Sequence, residues 1–583
     1  MISSRPSTTR ARRRRGQQPQ TQQHGPSRCL DAFIIALNQA SDGTRWYAST
    51  LHLQLASFQF CAACRSVPVL HLKVESGTPP RIWTGDSARF TRSAKRPSVT
   101  RVPEIQARQV TWGISASALR HMKDDALSSV ERFTFSDDFD GNVNGVVWPP
   151  RLKALEFGKN FDRPLERLLW PTSLEYLTLG RCFGQPLDKV AWPSSLNKLV
   201  FLGDIQHAME KMVWPASLQT LLVFGVVDHP LGRVDWPPSL REISFFGRMC
   251  NQPIEEVPWP PSLKELRIGR GMDQPLERVA WPESLHDLAL GPDFNQPIDR
   301  VSWPVSLRSL WFGFEFNQPI GGVSWPMSLQ KVNFGRSFNQ PINRVSWPAS
   351  MQELGLDGSF EHLVSGIVWP RFLRKLTLGD DFNESISKVT WSASLEEISF
   401  GFRFNQPIEG VVWPISLQQI VFARDFNQPI DGVAWPPSLQ RLSFGQNFNQ
   451  PIDSVSWPGC LKELNFNVGD WPLWDKVKMT PSVLHIISSH IGAVSCFNQP
   501  IHYVKWPASL VKVTFGECFN QRIDDVAWPA SLLELKFSRD FRPPCESFRW
   551  PASLERVTIP RWPGESLPSW PGVRVFGIWR GYW

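Results

Sequence analysis

The sequence predicts a parallel β-solenoid with one short strand per coil and little α-helix. Three observations predict it: a fixed tryptophan spacing, an apolar pattern locked to that spacing, and two prolines in most periods. Tryptophans at Trp148, Trp170, Trp192, Trp214 and Trp236 stand 22 residues apart. After one step of 23 to Trp259 the spacing of 22 resumes as far as Trp457, and it returns at Trp506, Trp528 and Trp550. A period in this range marks coils that bury a common interior only by stacking. The gap of 49 between Trp457 and Trp506 reads as one degenerate copy with Met479 in the tryptophan place, followed by an insertion of five residues.

Each element of the coil has a physical reason. The shared pattern is V-x-W-P-x-S-L-x-x-L-x-F-G-x-x-F-N-Q-P-I. Within it, Leu307, Leu310 and Phe312 belong to the strand, since the last two alternate with outward residues at a period of two. Gly313 ends the strand. Pro304 and Pro319 deny helix to the rest of the coil, because each lacks an N–H and holds its predecessor extended. Stacked coils then pair strand to strand at about 4.8 Å. Val301, Trp303, Leu307, Leu310, Phe312, Phe316 and Ile320 fill the interior. The Asn and Gln of each copy are placed to form amide ladders from coil to coil. A tryptophan row facing outward is the alternative, and its exposed aromatic surface would invite aggregation.

These residues carry a resemblance. Phe-Asn-Gln-Pro-Ile is intact in copies beginning at Phe294, Phe316, Phe338, Phe404, Phe426, Phe448 and Phe497. With the W-P-x-S-L-x-x-L-x-F-G that accompanies it, the pattern resembles the FNIP repeat, a divergent relative of the leucine-rich repeat, over about residues 126–559. That family commonly has Leu before the proline where this chain has Trp. The resemblance implies a leucine-rich-repeat-like solenoid that binds other proteins. It carries over no catalytic residue.

The remaining organisation follows from composition. Residues 1–28 hold seven arginines and no acid and are expected to be disordered. They suit a nuclear or nucleic-acid patch at Arg12–Arg15, an organelle transit segment, or an unselected basic tail. Residues 29–100 are a poorly defined segment and linker, and residues 101–125 lead in to an N-terminal cap, residues 101–135 being expected to cover the first coil. Residues 126–559 form about 19 coils, and residues 560–583 are expected to cap the last one. Trp562, Trp570, Val575, Phe576 and Ile578 would fold over that end, since an open solenoid end exposes core and strand edge. The net charge of +8 is uneven. Residues 1–100 carry 15 Lys and Arg against 4 Asp and Glu, and the rest carry 47 against 50. The solenoid is therefore near neutral and shows no stripe suited to nucleic acid. No apolar run is long enough for a membrane helix. Nine scattered cysteines give no disulfide framework, which favours a reducing, intracellular and most simply cytoplasmic setting.

No motif for catalysis, metal or cofactor emerges. The single Cys61/Cys64 pair lacks a second pair at zinc spacing. His485, His490 and Cys496 cluster without ligand order. The chain therefore reads as a non-enzymatic scaffold for a protein partner, or else as a structural repeat product without one. The candidate surface is where the template leaves residues free. The third and fifth strand places point outward, and Trp311 stands in a fifth place where neighbours carry Ala289, Asn333 and Gly355. Asp287, Ser309 and Lys331 are its expected surroundings. A second candidate is the acidic row after the Ile place, Glu409, Asp431 and Asp453, which lacks the basic neighbours of earlier coils. It suits a solvated face, a basic partner or a divalent cation.

Overall fold

A computed structural model describes residues 71–74, 109–112, 130–207, 209–467, 495–537, 540–542, 550–561, 570 and 572–579. Among them the chain is a parallel β-solenoid without an α-helix, and its only helical pieces are 3-10 turns at Met209–Lys211 and Ile254–Glu256.

Each strand has three or four residues in the regular coils and pairs with the equivalent strand one period on. Ser309–Trp311 pairs with Asp287–Ala289 on one side and with Lys331–Phe334 on the other, in register with the repeat. The ladder extends from Gln109–Trp112 against Arg132–Phe135 to Arg556–Arg561 against Arg574–Trp579.

The interior is filled as the period dictates. Leu307, Leu310, Phe312, Phe316 and Ile320 are buried, as are their equivalents in the next coil. The phenylalanines stack as continuous columns. Phe294, Phe316 and Phe338 lie about 6 Å apart with rings parallel within 7°. The tryptophans also face inward at their own corner: Trp303 and Trp325 are buried, and Trp325 stacks on Trp347 at 5.9 Å. One coil cannot enclose such side chains, so stability arises between coils.

Small and polar residues close the gaps. A Cβ on Gly335 would lie 1.6 Å from the Gly313 carbonyl oxygen, so the chain can turn there only without a side chain. The serine after each W-P-x reaches back one coil, as when Ser328 Oγ donates to the Leu307 carbonyl at 2.6 Å. Asn317 Oδ1 accepts the Asn339 N–H at 2.9 Å and Gln340 Nε2 at 3.0 Å. The same pattern recurs at Asn405 with Asn427 and Gln428.

One expectation needs correction. Among the described residues the ladder passes directly from the Trp457 coil to the Trp506 coil, with no separate coil for a copy at Met479 between them. Glu463–Asn465 pairs directly with Lys512–Thr514, and Phe448 stacks on Phe497 at 6.1 Å. Met479 itself, with His485 and His490, lies outside the described residues. At the C-terminal end, Arg574–Trp579 adds a further strand to the sheet. Phe576 is accordingly exposed, with the Arg556 guanidinium over its ring at 5.5 Å. Trp570 is buried edge-on against Trp550, with 5.2 Å between ring centres. The ring of Trp562, the side chain of Ile578, the Cys61/Cys64 pair and the arginine-rich residues 1–28 lie outside the described residues.

Candidate functional site

The strand face is less open than a period of two suggests. Fifth-place side chains are often covered, with Ser244 fully buried and Ser399 and Thr514 nearly so. With coils about 4.8 Å apart, a small residue is overshadowed by longer ones on both sides. Trp311 is too large to be covered and remains 39% exposed.

The four residues expected around this point are brought together. Ala289, Trp311 and Asn333 align across three coils, as do Asp287, Ser309 and Lys331. Trp311 Nε1 donates to Ser309 Oγ at 2.9 Å, which holds the indole against its own strand. Ser309 is buried beneath it. Lys331 turns to the next coil and pairs with Glu353 at 2.7 Å, while Asp287 is exposed. That pair is solvent-accessible and adds little to stability. The indole thus stands between the smaller Ala289 and Asn333 on the adjacent coils.

Glu409, Asp431 and Asp453 lie elsewhere, on three successive coils at the turn after the buried Ile408, Ile430 and Ile452. All three are exposed. Glu409 leans toward the next coil, where a Cβ on Gly432 would meet its Oε1 at 3.0 Å. Among the described residues no group of three or more His, Cys, Asp or Glu side chains is arranged to hold a metal ion.

Sequence reasoning missed Asp357. It takes the place that is glycine in the two preceding coils, and the following Gly358 adopts a φ of +69° to complete the turn. Asn333 leans across the side-chain-free Gly355 and donates Nδ2 to Asp357 Oδ2 at 2.9 Å. Burial pushes the Asp357 carboxyl up to about 6, the Asn333 hydrogen bond opposes the shift, and the charge of Asp380 adds to it. Asp380 is raised as well, chiefly by burial, against the pull of Arg336. The available signal was an Asp-Gly where the template has Gly. A second missed feature is Tyr176, whose ring lies between Arg132 at 5.5 Å and Lys198 at 5.6 Å. The small Ala154 on the intervening coil leaves room for the arginine to reach it.

Comparison with known proteins accords with this geometry. The FNIP repeat family matches residues 145–182, 273–315, 316–358, 404–433 and 426–468. The chain carries FNIP repeats. The crystal structure of CroV588, described as a novel circular leucine-rich-repeat protein, is 27% identical with a TM-score of 0.56. That similarity covers 81% of this chain and 72% of CroV588. The FNIP-repeat solenoid is therefore leucine-rich-repeat-like. An internalin, InlF, from Listeria monocytogenes is 11% identical over 59% of this chain and 88% of its own, with a TM-score of 0.34. A chain of the Drosophila Toll–Spätzle complex is 12% identical over 81% and 64%, with a TM-score of 0.45. No curated protein sequence matches the chain. No helix among the described residues is long and apolar enough to cross a membrane.

Proposed function

We propose that the FNIP-repeat solenoid is a scaffold that docks a partner protein on its strand face, without chemistry of its own. The observation that carries this reading is Trp311. It is a large exposed aromatic at a place where neighbouring coils carry small or covered residues, and Asp287 and Lys331 flank its row. An indole ringed by polar groups has the form of an interface hot spot: it offers a large apolar surface at low entropic cost, and its rim excludes water. The mixed charges of the face disfavour nucleic acid, which would need a continuous basic track. The acidic turn at Glu409, Asp431 and Asp453 would then be a separate edge suited to a basic partner surface. On the same reading residues 560–583 shield the C-terminal end, which the buried Trp570 supports.

Capture experiments with the full chain test it, comparing wild type with Trp311→Ala. A docked partner should lose about 30-fold in affinity or more, the usual penalty for truncating a hot-spot tryptophan. Thermal unfolding should be almost unchanged, because the indole is largely outside the core. The same partners at the same affinity would remove Trp311 from the binding surface.

A further inference from the structure

Cys496 and Cys518 are separated by one repeat and occupy the same place in successive coils, just before Phe497 and Phe519. Their backbones run side by side. The Cys518 N–H donates to the Ser495 carbonyl at 3.0 Å, and the following phenylalanine rings stack at 6.1 Å, parallel within 4°. Equivalent residues of adjacent coils lie about 4.8 Å apart, inside the Cα separation that a disulfide spans. Their side chains leave the coil in the same direction, and the two thiols lie within hydrogen-bonding reach. Both are unoxidised here, Cys496 exposed and Cys518 half-buried. Cys182 holds the same place in an early coil, but there the thiol meets Asn160 Oδ1 at 3.9 Å rather than a second sulfur.

We propose that Cys496 and Cys518 form a reversible disulfide that staples two coils together beside the stretch the ladder skips. The oxidant of the proposed reaction is hydrogen peroxide. The exposed Cys496 thiolate takes one oxygen from hydrogen peroxide, giving a sulfenic acid and hydroxide. The Cys518 sulfur then attacks the Cys496 sulfur and forms the S–S bond, and the sulfenic oxygen leaves as water. Two thiols and one peroxide thus give one disulfide and two waters, and a dithiol reductant reverses the reaction. The division of labour follows the surroundings. Burial holds the Cys518 thiol up, and the nearby Glu517 and Asp540 carboxylates add to this, so it stays protonated until it acts as the resolving partner. Cys496 meets the oxidant because it is the one in solvent.

The test uses the full chain, reduced and then exposed to stoichiometric hydrogen peroxide, with peptide mapping under non-reducing conditions. Lys505 and Lys512 lie between the two cysteines, so trypsin separates them unless the disulfide joins their peptides. The expected result is one dominant linkage, Cys496 to Cys518, that dithiothreitol removes, while Cys182, Cys250 and Cys460 stay reduced. In Cys518→Ser, Cys496 should accumulate as a sulfenic acid trapped by dimedone, at several-fold the wild-type yield. Other coils carry Ser337 and Asn447 at this place, so the substitution suits the fold. Linkage to other cysteines, or two thiols that stay reduced while peroxide oxidises residues elsewhere, would overturn the proposal. Equal dimedone trapping in wild type and Cys518→Ser would overturn the resolving role. None of these outcomes bears on Trp311, so the disulfide stands or falls independently of partner docking.

Discussion

The amide ladder and the tryptophan row run along the same stack, yet they treat polar atoms in opposite ways. In the ladder, Asn427 Oδ1 accepts the Asn449 N–H at 2.9 Å and Gln450 Nε2 at 3.1 Å, and Asn449 repeats both bonds to Asn498 and Gln499 across the skipped stretch. In the row, the buried indole N–H groups of Trp303, Trp325, Trp369 and Trp413 find no acceptor among the described residues. Trp192 differs, since its Nε1 donates to the Val213 carbonyl at 2.7 Å. The difference teaches that the two edges of a coil are held by different forces. The amide edge depends on hydrogen-bond satisfaction, which fixes register. The indole edge depends on apolar area and ring stacking, which tolerate an unmatched donor because so much surface leaves water.

The largest expected effect lies on the indole edge. Trp325→Ala removes a buried ring that stacks on Trp347 and lies edge-on to Phe334 at 6.4 Å. A loss of about 3–5 kcal/mol is expected, as for other buried aromatic truncations. Neighbouring coils should share it, because each is stable only through its interfaces. Urea unfolding of the full chain measures this, and a change within error would mean the row contributes shape rather than stability.

Much of this was legible in the sequence, for a physical reason. Leu307, Leu310, Phe312, Phe316 and Ile320 recur because each must sit on its own copy one coil away, so period alone revealed the interior and the register of Asp287, Ser309 and Lys331. The outer face was less legible. The alternation rule treats a strand as having one open side and does not see neighbours about 4.8 Å away that cover Ser244 and Ser399. Asp357 was hidden because its partner Asn333 is in another coil and reaches it only where Gly355 has no side chain. The pairing of Cys496 with Cys518 was present as a spacing of one period, but a search for conserved cysteine places across many coils passes over a place used by only a few.

A smaller effect is expected on the amide edge. Asn317→Ala would leave the Asn339 N–H and Gln340 Nε2 without their shared acceptor. A half-buried backbone donor left unmatched costs about 1–3 kcal/mol. The sharper variant is Asn317→Asp. The chain already uses aspartate in this role, since Asp162 Oδ1 accepts from the Gly184 N–H at 3.0 Å and from Gln185 Nε2 at 2.9 Å. Asn317→Asp should therefore recover most of the loss seen with alanine in the same urea measurement. Equal losses for both variants would show that the ladder matters through the amide donor and not through its acceptor oxygen.

The smallest expected effect separates the two kinds of tryptophan. Phenylalanine keeps an aromatic ring and removes the indole N–H. At Trp325 that N–H is buried without an acceptor, so Trp325→Phe discards a desolvated donor while losing some packing volume. The two terms oppose each other. At Trp192 the same change also breaks the bond to Val213, and there no unmatched donor is relieved. Trp192 and Trp325 both stack on a neighbouring tryptophan, at 5.7 and 5.9 Å, but Trp192 is half-buried and Trp325 buried, so the packing lost is larger at Trp325. The broken hydrogen bond, worth about 1 kcal/mol net, adds to the cost at Trp192, while the relieved donor offsets the larger packing loss at Trp325, so Trp192→Phe should be the more destabilising of the two. Paired unfolding curves of the two variants measure that difference directly. A larger cost at Trp325 would mean that packing outweighs the fate of the indole N–H, and the contrast between the two edges of the coil would have to be redrawn around packing alone.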